Sequence, residues 1–150
     1  MGAMLRDILA RLFAPQPQPL AAADARLALA ALLVRIARAD GDYAAEEVAR
    51  ITRILSARYG LDPDTADALR REAEALEAAA PDTVRFTRAI KDAVPHDERA
   101  AVVEALWEVV LADGVREPEE NALLRLTADL LGINDRDSNI LRKRAEARLG

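Results

Sequence analysis

Two short turns hold the residues of this chain that could do chemistry. Ala39-Asp40-Gly41-Asp42-Tyr43-Ala44-Ala45-Glu46-Glu47 recurs 73 positions on as Ala112-Asp113-Gly114-Val115-Arg116-Glu117-Pro118-Glu119-Glu120. Both copies read A-D-G, four variable residues, then E-E. Asp40, Asp42, Glu46 and Glu47 from one turn, with Asp113, Glu117, Glu119 and Glu120 from the other, are candidate ligands for a divalent cation. Such hard oxygen donors suit Mg²⁺, Ca²⁺ or Mn²⁺ rather than Zn²⁺. Without a cation, carboxylates gathered this densely would repel one another, and helix N-termini would offset only part of that. The same groups could also serve a metal-dependent hydrolase. The plainest alternative is structural: each glycine ends a helix and each glutamate pair begins the next. That reading explains every residue type singly. It does not explain why Asp precedes the glycine in both copies, where a negative charge meets the unfavourable end of the helix dipole.

Nearby patterns narrow the choice. Asp-Gly with Glu six residues after the glycine matches the back half of an EF-hand loop. The first and third loop positions would then fall on Ile36 and Arg38, or on Val109 and Leu111, and none of these is a carboxylate. An EF-hand is excluded in both copies. Catalysis needs a second signature, and the chain has no H-E-x-x-H, no Glu-x-x-His pair, no glycine-rich phosphate loop and no G-x-S-x-G. Its one histidine, His96, follows Pro95 at a helix start and reads as a surface capping residue. The expectation is a protein that is not an enzyme, with no catalytic residues and no cofactor beyond a divalent cation.

The elements that must position these turns are helices. Leu5, Ile8, Leu9 and Leu12 form one stripe of a short amphipathic helix over Met4 to Phe13. Pro15, Pro17 and Pro19 then force an extended linker. A long helix is predicted from about Ala22 to Arg38, stopped by Gly41, and a second from about Ala44 to Tyr59, stopped by Gly60. Asp62 caps a third, with Pro63 at its first position, running to about Ala79. Its many alanines and glutamates predict a largely exposed outer helix. Pro81-Asp82 opens a fourth, ending near Val94, and Pro95 opens the most apolar one, to about Leu111. Pro118 then starts a helix stopped at Gly132, and Asn134 caps the last, to about Leu149. Phe13, Phe86 and Trp107 read as core. No stretch alternates with the period of a strand. The fold class is all-α: a compact bundle of about seven to eight helices built from a duplicated helix–turn–helix. Residues 1–20 form an arm and linker, and residues 21–150 the helical domain.

Composition sets the outer limits. At 150 residues and 51% hydrophobic, the chain is long enough for one domain with a real core. A net charge of −5 argues against nucleic acid as a partner. Its arginines alternate with acids along helices, the pattern of a solvated face. The absence of cysteine removes thiol chemistry, disulfides and thiolate metal sites. No apolar run approaches the ~20 residues of a membrane span. Arg6, Asp7 and Arg11 interrupt what would be a signal peptide, so a cytoplasmic location is expected. Residues 4–13 are the one stretch that could touch a membrane surface, although their charge is mixed rather than basic.

The paired A-D-G-x-x-x-x-E-E turns resemble the TerB-like family, named for a tellurite-resistance protein. The resemblance extends through Arg85-Phe86-Thr87-Arg88-Ala89-Ile90, Val103-Glu104-Ala105-Leu106-Trp107-Glu108-Val109, Asp129-Leu130-Leu131-Gly132 and Asp135-Arg136-Asp137, and covers about Ala22 to Leu149. It implies a pseudo-symmetric helical bundle associated with tellurite or other chemical stress, with a protein partner. By motif position it also implies a metal site at Asp40, Glu46 and Glu47, with Asp113, Glu119 and Glu120. The chain departs from the family pattern at Tyr43-Ala44-Ala45, which predicts a weaker first site, and at Val115 and Arg116, where Arg116 would supply a counter-charge. Tellurite is itself an oxyanion, and an acidic turn would repel it.

Overall fold

The computed structural model describes residues 5–12, 22–39, 43–80, 82–111 and 118–149. They form eight helices and no strand: α1 (Leu5–Leu12), α2 (Ala22–Ala37), α3 (Ala45–Tyr59), α4 (Pro63–Ala79), α5 (Thr83–Ala93), α6 (His96–Val110), α7 (Pro118–Leu130) and α8 (Asp135–Leu149). Each lies within a residue or two of the span its periodicity and breakers predict.

The stops and starts are duplicated along with the helices. Gly60 ends α3 and Gly132 follows α7, at φ +63° and +82°, the left-handed region that glycine enters without penalty. Beyond each, a backbone N–H turns back into the helix, from Leu61 to Ser56 O (3.0 Å) and from Ile133 to Ala128 O (2.9 Å). Asp62 then accepts from Thr65 N (2.7 Å) and Asn134 from Asp137 N (2.8 Å), so α4 and α8 begin on equivalent caps. The Gly41 and Gly114 stops, Phe13 and the proline linker lie outside the described residues.

Packing follows the same duplication. Helices α2, α3 and α4 form one unit, and α6, α7 and α8 the other. In each, the first helix packs extensively on the third; across the units, α2 packs on α6, α2 on α7 and α3 on α6. The crossed contacts are reciprocal, as a pseudo-twofold relation requires. Arg26 on α2 lies 4.8 Å from the ring of Tyr59 at the end of α3. Its counterpart Arg99 on α6 donates from Nη1 to Leu131 O (2.9 Å), just past the end of α7.

Two helices carry the centre. Every residue from Leu27 to Val34 and from Val102 to Val110 is buried, the full circumference of α2 and α6 rather than one stripe. The sequence singled out α6 for this place; α2 shares it equally. Helix α5, with Phe86 and Ile90 fully buried, packs on α2 and α7, and α1 packs on α5 with Ile8 wholly buried. Those contacts favour an arm folded back onto the bundle over a detached one.

Helix α4 is the largely exposed outer helix the sequence predicts, with nine of its 17 residues exposed. Its inner stripe nevertheless makes the most extensive contact with α2 and buries Ala66, Ala73 and Leu76, together with Arg70. Ala66 and Ala73 let two backbones approach closely, while Ala68, Glu72, Ala75, Ala78 and Ala79 stay in water.

Candidate functional site

Of the eight carboxylates, the structure describes the side chains of two. Glu46 and Glu47 occupy the first turn of α3 and point to different surroundings: Glu46 is exposed, whereas Glu47 is only 5% exposed. Ala44 is the N-cap and has no side-chain acceptor to offer; instead its backbone N–H donates to Glu47 Oε1 at 3.4 Å, the returning arm of a capping box. Glu47 therefore has a structural task in its own helix, besides the charge it brings to the N-terminus. Glu119 and Glu120 lie at the equivalent start of α7, where the backbone alone is described. Asp40, Asp42, Asp113, Glu117, Val115 and Arg116 lie outside the described residues. Among those described, no group of three His, Cys, Asp or Glu side chains is placed to hold a metal ion. His96 is exposed at the first position of α6.

The flank of the first turn is rich in charge that the sequence did not place there. Arg38, at the end of α2, lies 5.0 Å over the ring of Tyr43. Burial, with Glu74 beside it, pushes the Tyr43 phenol well above its usual pKa. Below it, Arg70 is 8% exposed and bonded through each of its three nitrogens within its own chain: Nε donates to Thr52 Oγ1 (2.9 Å), Nη1 to Glu74 Oε2 (2.8 Å) and Nη2 to Asp67. Arg70 in turn holds the Asp67 carboxyl below its usual range.

A second feature escaped the sequence reading. Glu77 on α4 is gripped by Arg35 Nη2 (3.0 Å) and Arg38 Nη1 (2.8 Å) from α2. In the other unit Arg148 on α8 is gripped by Glu104 (3.2 Å) and Glu108 (3.2 Å) from α6. A two-on-one clamp of opposite polarity thus joins the first and third helices of each unit, with Arg35 and Glu108 at equivalent positions. Interleaved arginines, read as a solvated face, are thus partly inside: the side chains of Arg35 and Arg70 are 14% and 10% exposed. The signal was present as Glu104 and Glu108, one turn apart in a run otherwise apolar from Ala100 to Leu111. Two acids on one face of a buried helix require cationic partners.

An all-helical domain made of two pseudo-equivalent three-helix units, each with an acidic A-D-G sequence before its second helix, is the class these features define. The model of the family described as Tellurite resistance protein TerB matches residues 26–143, and the chain belongs to that family. No curated protein and no solved structure matches it.

Proposed function

We propose that this TerB-family chain is a non-enzymatic module of a cytoplasmic response to chemical stress, tellurite included, and that it binds a divalent cation, a protein partner or both through its acidic turns. The observation that carries this reading is positional. The family match spans both turns, and each E-E pair opens the equivalent helix of its unit, α3 or α7. With Glu47 turned toward its own backbone, the outward Glu46 and the aspartates of the turn are the groups left to meet a ligand, and Mg²⁺, Ca²⁺ or Mn²⁺ fits such donors. Tellurite does not, for it carries the same sign of charge as the turns.

The bond from Ala44 N to Glu47 favours a second reading, in which the turns only begin helices. Calorimetric titration of metal-stripped protein with Ca²⁺, Mg²⁺, Mn²⁺ and Zn²⁺ separates the two. Cation binding by the wild type that the Asp40→Asn, Asp113→Asn double variant loses supports the proposal. Absence of heat, with no change in melting temperature on adding metal, leaves the turns a structural role. Turnover that vanishes in Glu47→Gln, Glu120→Gln and returns with added metal would instead establish a hydrolase.

A further inference from the structure

The duplication has given the two units different versions of one pocket. In the second unit a pocket of about 320 Å³ lies among α6, α7 and α8, lined by Trp107, Asn121, Arg125, Asp135, Asn139 and Arg142. That volume is at the lower end of the ~300–1,000 Å³ of small-molecule sites. Its counterpart in the first unit is a shallow groove between α3 and α4, lined by Val48, Thr52, Asp67 and Arg70 among others. Aligned on the repeated turns and glycines, Asn121 stands at the position of Val48, Arg125 at that of Thr52, Asn139 at that of Asp67 and Arg142 at that of Arg70. Trp107 takes the place of Val34 and Ser138 that of Ala66.

Most of these exchanges add a hydrogen-bonding or cationic group or remove an anionic one; against them, Asp135 adds a carboxylate where the first unit has Pro63, and Leu126 stands where it has Arg53. Arg70 spends its donors on Thr52, Asp67 and Glu74. In the second unit the Thr52 hydroxyl has become a second guanidinium and the Asp67 carboxylate has become a neutral amide. Arg142 retains Glu146, the counterpart of Glu74, at 3.4 Å from its Nε. That contact lacks hydrogen-bonding geometry, and the buried Nε has no hydrogen-bond partner among the described residues. The guanidinium is held over the ring of Trp107, 5.8 Å from its centroid, and the indole N–H is fixed by Ser138 Oγ (3.1 Å). Among the described residues Arg125 is paired only with Asp135, at 3.7 Å between side chains 68% and 77% exposed, a contact that a better anion displaces at little cost. Asn121 Oδ1 is also buried without a hydrogen-bond partner among the described residues, and it requires a donor.

We propose that this pocket binds a small oxyanion that also carries a hydroxyl, held by Arg142 and Arg125 and read through its O–H by Asn121. Hydrogen phosphate and its inorganic analogues have that chemistry, as does a hydroxycarboxylate metabolite. Charge-assisted bonds from two guanidinia supply the attraction, and the fixed indole beneath Arg142 pre-organises one of them. In the first-unit groove Asp67 and Glu74 already neutralise Arg70 and leave only the exposed Arg53, so it binds more weakly.

Trp107 is the chain's only tryptophan, so its fluorescence reports on this pocket alone. The full chain, kept in chelator, is titrated with phosphate, tellurite and malate, and with chloride at matched ionic strength. The expected result is a saturable change with at least one oxyanion and none with chloride. Asn139→Asp, which restores the carboxylate of the first unit at an exposed position, weakens binding at least about tenfold without changing the melting temperature. Arg125→Gln does the same, and serves should Asn139→Asp fail to fold. Response to phosphate or tellurite alone assigns an inorganic ligand, and response to malate alone a metabolite. A signal reproduced by chloride, no signal with any oxyanion, or wild-type binding by the folded variants overturns the proposal. The Asp40→Asn, Asp113→Asn variant binds the oxyanion normally, so failure of the cation reading and failure of this one are distinguishable.

Discussion

Replacing Glu77 by alanine isolates the clamp between α2 and α4. The carboxylate is 12% exposed and accepts from Arg35 Nε (3.2 Å), Arg35 Nη2 (3.0 Å) and Arg38 Nη1 (2.8 Å). The Arg38 side chain is 37% exposed, so its share is that of a surface pair, below ~1 kcal/mol. Arg35, at 14%, cannot regain its hydration when Glu77 is removed. Stranding a fully buried charge costs about 3–5 kcal/mol. Arg35 would keep the carbonyl of residue 77 (3.0 Å), the Thr83 hydroxyl (3.4 Å) and the Phe86 ring (5.5 Å), which lowers its share to roughly 2 kcal/mol. Glu77→Ala is therefore expected to destabilise by about 2–3 kcal/mol, and Glu77→Gln by about half that, since the amide oxygen still accepts. Urea unfolding should show a lower midpoint at unchanged slope, with the melting temperature down by roughly 5–10 °C. The paired change Arg35→Met, Glu77→Leu should lie closer to wild type than Glu77→Ala, because it leaves no stranded charge. A loss under ~0.5 kcal/mol for Glu77→Ala, or a paired variant worse than the sum of its singles, would refute the reasoning.

Three further outcomes follow from the same geometry. Arg148→Ala exposes little new surface, yet it strands Glu104 and Glu108, whose side chains are 9% and 12% exposed; a loss of about 1–2 kcal/mol in urea unfolding is expected, above that of an ordinary surface pair. Tyr43 and Tyr59 both have phenols raised above 10.0, chiefly by burial, so the fold prefers them protonated; the stability they confer is complete below pH 10 and is lost as pH climbs through their higher folded values. Tyr43→Phe and Tyr59→Phe should each flatten that alkaline decline in thermal melts, and an unchanged decline in both would contradict it. Asn134→Ala removes the cap of α8 and should cost about 1 kcal/mol, and Gly132→Ala about 1–2 kcal/mol from its φ of +82°, since a Cβ there meets nothing closer than 3.6 Å; calorimetric melting measures both.

Helix boundaries were readable because their signals are local. A glycine that must enter the left-handed region and an Asp or Asn reaching three residues forward act within one turn of chain, and Gly60, Asp62, Gly132 and Asn134 behaved accordingly. The duplication was equally readable, since like residues recur at a fixed offset. Long-range pairing was not. Whether Arg35 faces water or Glu77 depends on a helix 42 residues away, and nothing near Arg35 announces it. The exposure of α4 was readable, but not its inner stripe, because alanine serves both exposed faces and tightly packed ones: Ala66 and Ala73 are buried while Ala68, Ala75, Ala78 and Ala79 are exposed. At the turns, the sequence could not tell that Glu46 would face outward and Glu47 its own backbone. The pocket beside Trp107 went unread because its meaning lies in a comparison of two arginines, each of which looks ordinary alone.

The exchanged charges of the two clamps bear on how a duplicated chain finds its own partners. After duplication, α4 and α8 were interchangeable lodgers for α2 and α6, and a folding chain could have seated either on either. Arg35 and Glu108 stand at equivalent positions, so α4 docked on α6 would bring Glu77 toward Glu108, and α8 on α2 would bring Arg148 toward Arg35. Both mispairings put like charges into partly dry seams, while both correct ones neutralise them. The polarity of a few side chains thus works as an address label: it tells each outer helix which centre is its own, in a molecule whose halves otherwise look alike.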